Sequence, residues 1–226
     1  MAQQKICPAS VLVTADARCR LVLTGLTVNR RIWEERDSRT RHFFVPEESQ
    51  AEAQADRPLD IGWGQTISQP FVVAAMAEAL ELKGAERVLE VGTGSGYALA
   101  VLAEMLPVNA DVFGIEIIPE LAERAQRTLA ELDYSNVRVR QGDGALGWPE
   151  AAPFDAIMVS AAPRQVPTAL PEQLAPGGRL VLPVGPSSDR QELQLWRRLP
   201  QGGFERRTLM QVRFVPLTGS AEQGKH

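Results

Sequence analysis

The sequence is poor in cysteine, lacks long hydrophobic runs and shows no excess of positive charge. Its two cysteines, Cys7 and Cys19, make neither a disulfide framework nor a metal site, so we expect a reduced, cytoplasmic protein with no metal. No apolar run reaches the length of a membrane span. The apolar stretch over 9–14 is too short for a signal peptide, so we expect neither targeting nor membrane attachment.

The charge balance argues against an extended nucleic-acid surface. Lysine and arginine total 24 and the acidic residues 28, which leaves a net charge of −4. Arginines do cluster near the N-terminus, but Glu34, Glu35 and Asp37 are interspersed among them. We therefore interpret this cluster as a solvated helix face rather than a phosphate-binding patch. Its members are Arg30, Arg31, Arg36, Arg39 and Arg41.

From residue 85 onward, apolar strands alternate with helical patterns. This alternation predicts an α/β fold, with a doubly wound, mostly parallel sheet covered on both faces. We expect strands over 88–91, 112–117, 137–140, 154–160 and 179–183, and helices over 71–82, 97–106, 119–132 and 166–174. Beyond residue 190, period-two alternation over 191–198 and 210–215 predicts an antiparallel C-terminal hairpin.

At 226 residues the chain can bury one sizeable core, so we expect a single domain over 1–226. Within it, 1–60 forms an N-terminal helical segment on the substrate side, with two short helices near 11–26 and 32–33. Residues 61–185 form a cofactor-binding α/β core. The C-terminal strands occupy 186–218, and a polar tail follows over 219–226.

A glycine-rich turn follows the first predicted strand of this core. The sequence over 88–97 is Val-Leu-Glu-Val-Gly-Thr-Gly-Ser-Gly-Tyr, in which Val88, Leu89 and Val91 are the apolar strand positions. Glycine lets a ligand approach the backbone closely, and the turn delivers it to free N–H groups at a helix N-terminus. Glu116, at the end of the next strand, can accept the hydroxyls of a ribose. The alternative is a glycine-rich turn that holds no ligand.

The stretch over 56–70 reads Asp-Arg-Pro-Leu-Asp-Ile-Gly-Trp-Gly-Gln-Thr-Ile-Ser-Gln-Pro. Gly62 and Gly64 bracket Trp63, which predicts a tight turn with an aromatic tip. Pro70 suits the first position of a helix. Ser68 therefore lies just ahead of a helix N-terminus, where its hydroxyl can serve as a cap.

The glycine turn with Glu116 resembles the cofactor motif of S-adenosylmethionine-dependent methyltransferases, many of which carry their reactive loop after the fourth core strand. Here that loop, Val-Ser-Ala-Ala-Pro over 159–163, has none of the motifs used to methylate amines or cytosine carbon. No histidine, aspartate or lysine constellation there suggests a general base. An already ionised substrate explains this absence, because a carboxylate with a pKa near 4 needs no deprotonation at pH 7. The enzyme then only aligns the reacting atoms and excludes water.

Together these stretches resemble the protein-L-isoaspartate (D-aspartate) O-methyltransferase family of Rossmann-like, S-adenosylmethionine-dependent enzymes. The similarity runs over about 25–218 and is most specific in Gly-Gln-Thr-Ile-Ser-Gln-Pro over 64–70. Further matches are Arg-His-Phe-Phe-Val-Pro over 41–46, Gly-Asp-Gly over 142–144 and Phe-Val-Pro-Leu over 214–217. The resemblance implies methylation of the abnormal carboxylates of isoaspartyl and D-aspartyl residues, which starts protein repair through a succinimide.

The resemblance also implies roles for individual residues. It makes Ser68 the active-site serine, with Thr66 and Ile67 flanking cofactor and substrate. It places Gly92, Thr93, Gly94 and Ser95 at the methionine end of S-adenosyl-L-methionine, Glu116 at the ribose, and Asp143 with Gly144 at the adenine edge. It implies S-adenosyl-L-homocysteine as the product, isoaspartyl-containing peptides and proteins as the partners, and a monomer.

Some positions depart from the family pattern. Asp60 stands where proline is common, Trp63 where histidine or tyrosine is common, and Ser160 where threonine is common. These departures leave open a methyltransferase for one specific peptide or for a small-molecule carboxylate. A further alternative is a module that binds the cofactor without catalysis. The Ser68 block argues against that alternative.

Overall fold

A computed structural model describes residues 41–186 and 189–220, together with the backbone of two short strands, β1 (Leu12–Val13) and β2 (Cys19–Arg20). These strands pair antiparallel, so the helix expected over 11–26 is wrong at these positions. Val13 is β-branched, which favours extended backbone at that position. The second expected helix, near 32–33, lies outside the described residues.

The core is a seven-stranded sheet in the order β11-β10-β9-β8-β5-β6-β7. The strands β5 to β9 run parallel, and β10 and β11 are added antiparallel, which confirms the expected fold class. The chain runs outward from β5 in both directions, so the topological switch point lies at its carboxyl end. The strands are β5 (Val88–Val91), β6 (Val112–Glu116), β7 (Val137–Gln141), β8 (Phe154–Val159), β9 (Leu174–Val184), β10 (Gln191–Arg198) and β11 (Phe204–Val212).

Helices cover both faces of this sheet. Because side chains alternate along a strand, Val88 packs into one buried cluster and Leu89 into the other. None of the described helices is long and apolar enough to cross a bilayer. The α-helices are α1 (Pro70–Ala79), α2 (Tyr97–Glu104), α3 (Pro119–Glu131) and α4 (Ala169–Glu172).

A separate hairpin lies outside the main sheet and leads directly into α1. Its strands β3 (Leu59–Gly62) and β4 (Gln65–Ile67) pair antiparallel. Trp63 sits in the turn with a positive φ of 54° and is 52% exposed, which confirms the predicted turn with an aromatic tip. The hairpin brings the residues around Ser68 toward the carboxyl edge of the sheet.

Helix α4 and strand β9 differ from the predicted boundaries. The helix expected over 166–174 is only the single turn of α4, and β9 begins almost directly after it. The strand expected over 179–183 begins already at Leu174, which pairs with Phe154. Residues Leu174–Arg179 thus extend β9 along the neighbouring strand β8.

The last strand also differs from its prediction over 210–215. Gly202 and Gly203 both have positive φ and form the turn, so β11 starts immediately afterwards at Phe204. The strand forms the edge of the sheet, and residues 204–208 are exposed throughout. A strand with both faces in water shows no period-two alternation of apolar residues, so the sequence pattern did not predict the first half of β11. The strand ends at Val212, and Phe214 N–H donates to the Gln191 side chain instead.

Candidate active site

The glycine turn after β5 forms the floor of a cavity at the switch point. Gly92 and Gly94 adopt positive φ, at 78° and 55°, and both line the cavity. Gly144 lies opposite, so close to β5 that an added Cβ would fall 2.4 Å from Val91 Cγ1. Glycine is therefore required at Gly144. Because Gly92 and Gly94 also lack a Cβ, the floor of the cavity exposes its backbone to a ligand.

Glu116 is held against this turn at the end of β6. Its side chain is only 5% exposed. One carboxylate oxygen accepts from Gly94 N–H at 2.7 Å, and the other accepts from Ile118 N–H at 3.0 Å. The two bonds fix the carboxylate at the wall of the cavity, where it retains lone pairs for further donors.

Asp143 precedes Gly144 in the chain but does not itself line the cavity. Its carboxylate accepts from Ala145 N–H at 2.9 Å and from Ser220 N–H at 2.8 Å. Burial raises the pKa of Asp143, but the hydrogen bonds from Ser220 and Ala145 outweigh burial and hold that pKa below its usual value. Asp143 is thus an ionised acceptor, and Ser220, at the start of the predicted tail, is held by it.

Thr66, Ile67 and Ser68 lie between this cavity and a larger cleft. A narrow inner cavity of about 30 Å³ is lined by Ile67 and Ser68 and by the buried side chains of Thr93 and Ser95. Outside it opens a cleft of about 660 Å³, walled by α1 on one side and by residues 210–215 on the other. Ser68 faces both spaces, and Thr66 also borders the glycine-floored cavity.

The Ser68 hydroxyl does not cap α1. The residue at the N-cap position is Gln69, and its side chain makes no capping hydrogen bond. Asp56 takes this role from a distance, because its carboxylate accepts from Phe71 N–H and from the Gln69 amide, each at 3.0 Å. The capping alternative for Ser68 is therefore wrong, and no group among the described residues bonds its hydroxyl.

Losing the Asp56 cap should cost stability. Asp56→Ala removes the acceptor for Phe71 N–H, and we expect a loss of about 1 kcal/mol in the free energy of unfolding. Asp56→Asn keeps an equally good acceptor and should stay close to the wild-type protein. Urea denaturation of the three proteins measures both differences. Equal losses in the two variants would show that the charge, not the cap, matters.

Arg41 holds the backbone behind Ser68. It is 1% exposed, so its assignment to a solvated helix face is wrong; the other four arginines of that cluster lie outside the described residues. Its guanidinium lies 5.5 Å from the Tyr97 ring centroid. Since a buried cation needs polar partners, the loop carbonyls around it supply them. They belong to Ala53, Ala55, Arg57 and Ser68, at 2.5 to 3.2 Å.

The sequence matches the profile of the protein-L-isoaspartate (D-aspartate) O-methyltransferase family over residues 17–222. The chain belongs to this family. A protein-L-isoaspartate O-methyltransferase of Anaeromyxobacter dehalogenans (strain 2CP-C) is 56% identical over 191 residues, which are 84% of this chain and 90% of that protein. Protein-L-isoaspartate O-methyltransferase 2 of Marinobacter nauticus is 52% identical over 205 residues, 91% of this chain and 92% of that protein.

Solved structures of protein-L-isoaspartate O-methyltransferases share the fold. A putative one from Plasmodium falciparum, in complex with S-adenosyl-L-homocysteine, superposes with a TM-score of 0.66 and 25% identity. That match covers 84% of this chain and 94% of the other. A second superposes with a TM-score of 0.74 and 28% identity over 87% of this chain, which spans 62% of the length of that protein.

Sequence reasoning missed Glu90 among the polar residues of this methyltransferase site. Glu90 lies in the middle of β5, is 1% exposed and lines the inner cavity with Ser68. Its Oε1 accepts from the Ser160 hydroxyl at 2.7 Å, whereas Oε2 has no hydrogen-bond partner among the described residues. Burial, with a smaller effect from the neighbouring Glu116, raises the pKa of Glu90 to about 8. The available signal was a glutamate between apolar residues in a buried four-residue strand.

Proposed function

We propose that this protein transfers a methyl group from S-adenosylmethionine to the free carboxylate of L-isoaspartyl and D-aspartyl residues in damaged peptides and proteins. The methyl ester then reverts through a succinimide, which initiates repair. The observation that carries the proposal is the position of Ser68, where a peptide-sized cleft meets the narrow inner cavity beside the glycine turn. Family membership supports the same reaction.

The residues of the glycine-floored cavity and of the adjoining inner cavity fit the cofactor. Gly92 and Gly94 present backbone without a Cβ, Glu116 offers a fixed acceptor for the ribose, and Asp143 with Gly144 borders the adenine end. Thr93 and Ser95 surround the methionine end, and Thr66 and Ile67 lie between cofactor and substrate. When bound, S-adenosylmethionine supplies an electrophilic methyl group and leaves as S-adenosylhomocysteine.

The substrate carboxylate is ionised at neutral pH, so this site needs no base. We propose that Ser68 is the catalytic residue, whose unbonded hydroxyl donates to one carboxylate oxygen and orients the other. The Arg41 guanidinium donates to the Ser68 carbonyl and so keeps the Ser68 backbone in place. In this arrangement Ser68 is not a nucleophile, and no methylated enzyme forms.

The shape of the cleft favours a peptide over a small carboxylate. A cleft of about 660 Å³ along the end of the edge strand β11 offers space for residues on either side of the reactive carboxylate. We propose that the enzyme acts as a cytoplasmic monomer on such chains, with no nucleic-acid or membrane partner.

Transfer of labelled methyl groups tests the proposed function. The substrates are an isoaspartyl peptide, its twin with normal aspartate, and a blocked isoaspartate without flanking residues. We expect only the isoaspartyl peptide to be labelled well, with label lost on mild alkaline hydrolysis as for a methyl ester. Labelling of the blocked isoaspartate alone would indicate a small-molecule enzyme, and labelling of none would refute the proposal.

The ribose role of Glu116 predicts a loss of cofactor affinity. Glu116→Ala removes an acceptor of charge-assisted hydrogen bonds, which should weaken binding by about 1–3 kcal/mol. Calorimetry with S-adenosylhomocysteine measures this loss. Glu120→Ala, at an exposed position four residues further along the chain, is the control and should bind normally. Unchanged affinity in folded Glu116→Ala would remove Glu116 from the ribose site.

A further inference from the structure

Two arginines, Arg190 and Arg213, border the substrate cleft beside Ser68. They precede β10 and follow β11, two paired strands, and both are exposed. Within the described part of the chain, neither guanidinium makes a hydrogen bond or an ion pair. No aspartate or glutamate lines the cleft, so these arginines provide its only charged lining groups among the described residues.

Asp56, Asp189 and Glu192 each lie within two positions of a lining residue, and each accepts hydrogen bonds from neutral donors. Asp189 accepts from the backbone N–H of Arg190 at 2.7 Å, and the Asp56 carboxylate holds the start of α1. Glu192, on β10, accepts from Gln194 and Thr208. The residues that line the cleft thus carry two positive charges and no negative charge, on a protein whose net charge is −4. Local potentials of this kind attract ligands of opposite sign.

We propose that Arg190 and Arg213 make the enzyme prefer isoaspartyl peptides with a second carboxylate close to the damaged residue. The inference rests on the proposed function and adds a substrate class to it. An internal isoaspartyl residue has one free carboxylate, which belongs beside Ser68. The guanidinium groups are therefore left for an aspartate or glutamate side chain nearby, which they can bind through charge-assisted hydrogen bonds.

Three isoaspartyl peptides test this preference. One is neutral, one has glutamate two residues before the isoaspartate, and one has glutamate two residues after it. Exposed ion pairs are individually weak, so we expect at least one acidic peptide to exceed the neutral one about three- to tenfold in kcat/KM. High salt should reduce this ratio.

Variants assign the preference to the two arginines. The double variant Arg190→Gln with Arg213→Gln should bring the ratio of acidic to neutral peptide close to one. Arg207→Gln removes the same charge from an exposed position of β11 outside the cleft lining and should keep the wild-type ratio. The double variant Arg190→Glu with Arg213→Glu should invert the preference toward a lysine-containing peptide.

The outcomes separate the two proposals. If the wild-type enzyme methylates all three peptides equally, or prefers the neutral one, the charge preference is refuted while the proposed function stands. A ratio that survives in the double variant also refutes it. If no isoaspartyl peptide is methylated, the proposed function itself fails.

Discussion

Ser68→Ala should lower kcat on an isoaspartyl peptide by about 10- to 1000-fold, the scale observed when one preorganised donor is removed from an active site. The hydroxyl faces both the cleft and the inner cavity and bonds to no described group. Removing it should therefore leave the cofactor affinity and the melting temperature close to their wild-type values. Turnover assays, calorimetry and thermal denaturation of one protein preparation measure the three quantities.

Asp56→Ala is the matched control for this variant, because it should lower the stability through the cap that Ser68 does not provide. The two variants thus separate chemistry from helix capping within one short segment. A folded Ser68→Ala protein with wild-type turnover would show that the serine does not orient the substrate. A Ser68→Ala protein with lowered stability would instead indicate that Ser68 caps α1, which would contradict the observed Asp56 contacts.

Glu90→Gln should make the stability of the ligand-free protein much less sensitive to pH between 4.5 and about 8. Burial raises the pKa of Glu90 from 4.5 to about 8 in the folded state. Its contribution to stability is therefore full below about pH 4.5 and is lost as pH rises through 8, because the unfolded chain releases this proton first. Over that window the loss is roughly 4–5 kcal/mol, an upper estimate from the 1.36 kcal/mol of each pKa unit.

Glutamine keeps an acceptor for the Ser160 hydroxyl without a titrating group. Relative to the wild-type protein, the variant should therefore gain several kcal/mol between pH 5 and pH 9. This corresponds to a change of about 10 °C in the difference between their melting temperatures. Glu131→Gln, at the exposed end of α3, should show a small and constant difference. A difference for Glu90→Gln that does not grow with pH would show that Glu90 ionises in the folded protein without cost.

The elements that place the cofactor cavity were predictable from the sequence because their signals are local. Strand β5 is a short apolar run before a glycine turn, and its bounds are as predicted. Glu116 lies at the end of β6, where parallel pairing with β5 brings it to the glycine turn. The position of a residue at the carboxyl end of such a strand determines its proximity to the ligand.

Contacts between residues far apart in sequence were not predictable in this way. Ser160 and Glu90 are 70 residues apart, and only the pairing of β8 with β5 brings them together. Arg41 resembles its charged neighbours in sequence, yet its partners are carbonyls 12 to 27 residues later. Asp56 caps a helix 15 residues away, which made the adjacent Ser68 the simpler candidate.

The wall formed by Thr66 has a consequence for how the two ligands bind. The cavity over the glycine turn holds only about 50 Å³, and Gln65 and Thr66 on one side face Pro216 to Thr218 on the other. Thr66 also borders the peptide cleft, so a cofactor in the cavity and a peptide in the cleft would contact the same residue. Cofactor and peptide are therefore thermodynamically linked: whatever factor the first ligand imposes on the affinity of the second, the second must impose on the first.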